Sequence, residues 1–262
     1  MRFEWGGHGI DVREAGSGPS LVLLHGYPLD GAMWSGVARA LGVRFRVFKP
    51  DLPGRGENPA PAPDRFEGHA DFLAALLAQL PPPVGLAGFS MGGYVSLALL
   101  RASPSAVRAL ALVDTRAEAD DEEGKRKRDE AIATVRSGGV AKIAEGMVPR
   151  LLAETSLSNR DLVDRLRRII LRQKPETVEA DLTAMRERRD STDILPEIRI
   201  PTLVIVGEHD ALTPPVFSEK LAAAIPGATL TRISGAGHLT PMERPGAVAA
   251  ALGDFFGAAL PA

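Results

Sequence analysis

The chain has no cysteine, so disulfides, thiolate metal sites and a cysteine nucleophile are excluded from the outset. Long apolar runs are missing too: none approaches the roughly 18 residues that a membrane helix needs. The opening MRFEWGGHGIDVREAG lacks the apolar stretch of a signal peptide. Neither sign of charge dominates. Thirty-one basic residues stand against 33 acidic ones, a net charge of -2, which gives no electrostatic case for nucleic acid or an anionic membrane. These absences make a soluble, cytoplasmic protein the expectation. What is present is an ordinary globular composition, 45% hydrophobic over 262 residues. That suffices for one large α/β domain, or one carrying a modest insertion.

Short β-type runs alternate with helical patterns. Strands are expected at Ser20–Gly26, Arg44–Asp51, Val84–Phe89, Val107–Asp114, Pro201–Gly207 and Ala228–Ser234. Near-continuous apolar strands separated by helices predict a mostly parallel sheet covered on both faces. Phe3–Trp5 and Ile10–Glu14 read as a hairpin around the GGHG turn. Helices are expected over Met33–Leu41, Arg65–Leu80, Met91–Ala102, Pro215–Ile225 and Pro245–Leu260.

Between Thr115 and Asp193 the composition changes. This stretch holds 17 basic and 17 acidic residues, no aromatic residue and no strand-like run. It reads as an all-helical cap inserted into a core formed by residues 1–114 and 194–262. Its run DDEEGKRKRDE reads as a solvated helix face with i,i+4 pairs rather than a binding patch.

The stretch GFSMG, Gly88 to Gly92, fits G-x-S-x-G between a buried strand and a helix. In such an elbow small residues flank the serine, because larger ones would clash in the sharp turn. A serine hydroxyl needs a base, and the base needs an orienting acid. Of five histidines, His8 lies in a surface turn and His69 on a helix with its own packing logic. His25 is suited to shaping a loop, and His209 to supporting Asp210. His238, in SGAGHLTPMERP after the last strand, remains as base. Asp210 directly follows TLVIVGEH, at the C-terminal end of a strand, and gives the chain order Ser90, Asp210, His238. Asp114, ending ALALVD, is the alternative acid, and Asp51 reads as a turn residue. An oxyanion hole needs two backbone N–H groups. Met91, after the serine, offers one; Tyr27, in HGYP, offers the other, since Pro28 has none to give.

With these motifs in place, the chain resembles the α/β-hydrolase-fold superfamily, in particular its esterase, lactonase and perhydrolase group with a helical cap. The resemblance rests on HGYP (25–28), DLPGRGEN (51–58), GFSMGG (88–93), GEHDALTP (207–214) and GAGHLTPMERP (235–245). It implies Ser90 as nucleophile, Asp210 as acid, His238 as base and no cofactor or metal. A serine at the nucleophile position argues against the family's epoxide hydrolases and haloalkane dehalogenases, which use aspartate there.

The expected activity is hydrolysis of small carboxylic esters or lactones through an acyl-enzyme. Met147, Val148, Leu151 and Leu152 of the cap are candidates to face the substrate, as is Leu239 beside the base. The same triad would serve a perhydrolase or haloperoxidase-like enzyme, a thioesterase or a carbon–carbon bond hydrolase. A ligand receptor that keeps the triad and signals through its charge-rich cap is the alternative of another class. Oligomeric state is left open by the sequence.

Overall fold

The computed structural model describes residues 1–260, so the last two residues of the expected core lie outside the described residues. Strands β1 (Arg2–Trp5) and β2 (His8–Asp11) pair antiparallel, with Trp5 opposite His8. The turn between them is Gly6–Gly7, both at positive φ, as a two-residue hairpin requires. The expected second arm, Ile10–Glu14, therefore starts earlier and stops sooner, and His8 lies in the strand. The chain then enters β3 (Arg13–Ala15), which joins a different sheet.

That main sheet also contains β4 (Ser20–Leu24), β5 (Arg46–Lys49), β6 (Val84–Phe89), β7 (Ala109–Val113), β8 (Thr202–Gly207) and β9 (Thr229–Ile233). Its order is β3-β5-β4-β6-β7-β8-β9. Only the edge strand β3 is antiparallel; every later pairing is parallel. Every residue of β4, β6, β7 and β8 is buried, which is why these strands read as unbroken apolar runs. In a parallel sheet all the strands end on the same side. Tyr27, Asp51, Ser90, Asp114, Asp210 and His238 all follow strand ends, so one rim of the sheet collects them.

Helices α1 (Ser35–Leu41), α2 (Phe66–Leu77), α3 (Met91–Ala102), α7 (Pro215–Ala224), α8 (Thr240–Glu243) and α9 (Pro245–Ala259) lie outside the stretch between β7 and β8. The first turn expected of α1 is a short 3₁₀ segment, Gly31–Trp34, whose entry is capped by Asp30 accepting from Ala32 N–H. Between β7 and β8 the described elements are all helical: α4 (Glu122–Leu151), α5 (Arg160–Leu171), α6 (Pro175–Arg186) and two 3₁₀ segments. Helix α4 is kinked at Gly139, which has φ 67°. Pro175 opens α6, where its missing N–H costs nothing.

Buried polar contacts fasten this helical segment to the strands. Arg55, from the loop after β5, pairs with Asp181 of α6, and His69 Nε2 lies 3.6 Å from the same carboxylate. All three side chains are fully buried. Asp30 is bonded by Arg172 and by Gln173 Nε2 at 2.8 Å, on the other side of the same junction.

Candidate active site

Strand β6 runs straight into Ser90, and α3 begins at the next residue. Ser90 has φ 50° and ψ −113°. Such a conformation costs a side-chain-bearing residue about 1–3 kcal/mol and persists only where its surroundings fix it. Here they do: Ser90 N–H donates to Val113 O at 2.8 Å, and its carbonyl accepts from Gly93 N–H and from the Thr115 hydroxyl, each at 2.8 Å. A Cβ on Gly92 would lie 2.8 Å from the Leu24 and His25 carbonyl oxygens, so α3 approaches β4 this closely only with glycine there.

The Ser90 hydroxyl stands 3.0 Å from His238 Nε2, and His238 Nδ1 stands 2.8 Å from Asp210 Oδ2. Both His238 and Asp210 are buried, while Ser90 opens onto a cavity. Asp210 is held by more than the imidazole. Its Oδ1 accepts the N–H groups of Leu212 and Thr213, both at 2.8 Å, and the Thr213 hydroxyl donates to Oδ2 at 2.7 Å. Burial would raise this carboxyl, but the adjacent His238 imidazole and the Thr213 hydrogen bonds outweigh it and leave the group below its ordinary range.

The alternative acid is close by but faces elsewhere. Asp114, at φ 47°, accepts Gly207 N–H at Oδ1 (2.8 Å), and its Oδ2 is bonded by the Thr240 hydroxyl. It makes no hydrogen bond with His238. Burial, reinforced by the charge of Asp210, drives its carboxyl well above the usual carboxylate range. The other histidines are occupied or remote. His25 Nε2 accepts Leu52 N–H at 2.9 Å and its Nδ1 lies 3.1 Å from Gly26 O, a loop-shaping role. Asp51 likewise braces its surroundings, accepting Gly31 and Glu57 N–H and pairing with Arg13.

Two supports of the site lie within the motifs GEHDALTP and GAGHLTPMERP, but the sequence assigned neither a role. Glu243 is buried in α8; its Oε1 accepts Gly237 N–H and its Oε2 accepts Ala153 N–H, both at 2.8 Å. Leu239 N–H donates to Leu151 O at 2.9 Å. The residues on either side of His238 are thus joined to the chain that leaves α4. Gly237 is required at this junction, where a Cβ would lie 2.4 Å from Ala153 N. Thr213, three residues after Asp210, is the other.

Ser90 and His238 line a cavity of about 850 Å³ together with Tyr27, Tyr94, Thr213 and residues of α4 and α6. Its aliphatic walls are Ile143, Met147, Leu182, Met185 and Leu212. Met147 therefore faces the space, as expected. Leu151 and Leu239 do not line it; they are fully buried where the helical segment meets the His238 loop, and Val148 and Leu152 are also buried outside the lining. The N–H groups of Tyr27 and Met91 have no acceptor among the described residues. No cluster of three or more potential metal ligands occurs among the described residues, and no described helix is long and apolar enough to cross a membrane.

A family model described as the alpha/beta hydrolase fold matches residues 19–245. The chain belongs to that family. Among curated relatives, the pimeloyl-[acyl-carrier protein] methyl ester esterase of Chromobacterium violaceum is 33% identical over 237 residues, covering 87% of this chain and 90% of the relative. Among solved structures, a thermophilic esterase from Thermogutta terrifontis, bound to malate, is 39% identical. It superposes with a TM-score of 0.92 over 97% of this chain and 94% of its own. The enol-lactonase of Burkholderia xenovorans is 26% identical, with a TM-score of 0.89 over 98% of this chain and 99% of its own. Within its family the chain therefore stands among the carboxylic ester hydrolases.

Proposed function

We propose that the protein cleaves small carboxylic esters, lactones included, through an acyl-enzyme on Ser90. The observation that carries this reading is the unbroken chain from Ser90 Oγ through His238 to Asp210, opening at the serine onto the cavity. His238 accepts the Ser90 proton as the oxygen attacks the ester carbonyl. Asp210 fixes the imidazole with Nδ1 protonated and stabilises its cationic form. The N–H groups of Tyr27 and Met91 receive the developing oxyanion; lacking protein acceptors, they are free for it. His238 then protonates the leaving alcohol, and water repeats the sequence on the acyl-enzyme. This chemistry calls on no cofactor.

Residues 115–193 serve as the cap of this site, in a protein that works in the cytoplasm. The aliphatic walls supplied by Ile143, Met147, Leu182 and Met185 suit aliphatic acyl groups better than large aromatic ones. The test is initial rate across p-nitrophenyl esters of graded acyl length, beside Ser90→Ala. Turnover that falls by about 10⁶-fold in the variant, the scale seen when a serine nucleophile is removed, supports the reading. Turnover that survives the substitution rejects it.

A further inference from the structure

The charged stretch expected to be a solvated face is only partly that. Lys125 and Lys127 pair with Glu122 and Glu123 on the exposed side of α4, but Arg128 turns inward. Its Nε donates to Asp120 Oδ2 at 2.8 Å. Arg116 donates to Asp120 Oδ1, and Arg188 Nη2 approaches the same oxygen at 3.4 Å. Three guanidinium groups thus surround one fully buried carboxylate. Burial would raise Asp120, yet the Arg128 hydrogen bond and the charges of all three arginines hold it below its ordinary range.

The excess cation is fixed in place and has donors to spare. Arg188 is buried over the Tyr94 ring at 3.9 Å, and Arg116 lies 5.3 Å from the Phe217 ring, so both guanidinium planes are braced by aromatic faces. A guanidinium carries five N–H donors. Arg116 and Arg128 each bond Asp120 through a single nitrogen; the Tyr94 hydroxyl also lies beside Arg116, and neither guanidinium uses all of its donors. Both side chains are about a quarter exposed, at 21% and 26%, and both line the cavity that holds Ser90 and His238. The remaining acids on that lining are already engaged: Asp121 caps α4 at Gly124 N–H, Glu123 pairs with Lys127, and Glu130 lies 3.9 Å from Arg126. On the same lining Lys142 and Arg150 have no ion-pair partner among the described residues.

Resting on the ester hydrolase reading above, we propose that Arg116 and Arg128 form an anion subsite of the active-site cavity that takes a substrate carboxylate. The substrates so favoured are half-esters, whose acyl chain carries the scissile ester at one end and a free carboxylate at the other. A planar carboxylate matches the fork of a guanidinium, and burying it in an aliphatic cavity requires such charged donors. Ile143, Met147 and Leu182 supply the apolar surface for the methylenes between the two groups.

The test compares monomethyl esters of C4–C8 dicarboxylic acids with methyl alkanoates and ω-phosphonoalkanoate methyl esters of equal length. Wild type, Arg116→Gln, Arg128→Gln and the corresponding lysine variants are measured. The expected result is a wild-type kcat/KM ratio of carboxylate to neutral ester of at least about ten, the scale of one charge-assisted hydrogen bond. Each glutamine variant should reduce that ratio about ten-fold, mainly through KM, with partial recovery in the lysine variants. A wild-type ratio near one, a ratio unmoved by either substitution, or a preference for the phosphonate overturns the proposal. Neutral esters report the triad separately. Should no ester turn over, calorimetric titration of monomethyl glutarate into wild type and Arg116→Gln still decides: binding weakened about ten-fold supports the subsite, and equal or absent binding rejects it.

Discussion

Strands β7 and β8 are neighbours in register, and each ends near a buried aspartate on the same rim, yet Asp114 and Asp210 live in opposite environments. Around Asp210 an imidazole, a hydroxyl and two backbone N–H groups all point at the carboxylate. Around Asp114 there is one N–H and one hydroxyl, with the Asp210 charge close enough to oppose ionisation. Location at a strand end therefore does not make a carboxylate a triad acid. What matters is the number of donors aimed at the charged form, and whether the imidazole is among them.

The sharpest way to break this contrast is to remove charge from each position in turn. Asp210→Asn should lower kcat by ~10⁴, the loss seen when a triad aspartate becomes an amide that cannot hold the imidazole tautomer. Should Asp114→Asn produce that loss instead, the assignment of the acid reverses. Next in size is Glu243, which ties the His238 loop to the helical segment. Glu243→Gln turns an amide NH₂ toward Gly237 N–H or Ala153 N–H, leaving donor against donor in a buried place. The displaced His238 loop should cost about 10²-fold in kcat with KM little changed, as expected when a reacting group shifts by about an ångström. A KM effect without a kcat effect would assign Glu243 to cavity shape.

The smallest kinetic effect belongs to Asp114→Asn, within a few-fold of wild type, but its stability profile should be distinctive. A carboxyl whose native pKa is raised keeps its proton in the fold where the unfolded chain has lost it. Native stability then falls as pH rises from the ordinary aspartate range up to the raised value. Asparagine removes that dependence. Melting temperature should therefore favour the variant near neutral pH, and the gap should narrow below about pH 4. Asp210 works in the opposite sense: its contribution is complete above the unfolded value and is lost as pH falls through its lowered native one. A wild-type advantage at neutral pH that grows with pH would show Asp114 to be ionised in the fold.

The sequence reading went furthest where function is compressed into short motifs at strand ends. GFSMG, GEHD and GAGH each close or follow a β-run and carry one candidate reactive side chain, so residues that the structure brings within hydrogen-bond distance of Ser90 and of one another could be named from the sequence. The strand order and the antiparallel edge β3 depend on register between distant segments, which no local pattern encodes. The same holds for Glu243, which meets Ala153 across 90 positions, and for Arg188, which meets Asp120 across 68. Arg128 was misread because i,i+4 spacing explains its neighbours Glu123 and Lys127 so well. A helix has two sides, and only tertiary packing says which of its charges faces the cavity. Leu151 and Leu239 went astray for a related reason: apolar side chains near a site serve the packing beneath it as readily as its lining.

The Glu243 bridge also bears on how such proteins can be recombined. A foreign helical segment grafted between β7 and β8 would bring its own helices, but the His238 loop is bonded to a backbone N–H at position 153, through Glu243, and to a carbonyl at 151. A chimera that exchanges the whole of residues 115–193 keeps the brace only where its own chain places an N–H and a carbonyl at those two points, and proline at position 153 would remove the N–H outright. A splice that keeps residues 151–153 native preserves the brace and leaves the helices on either side open to exchange.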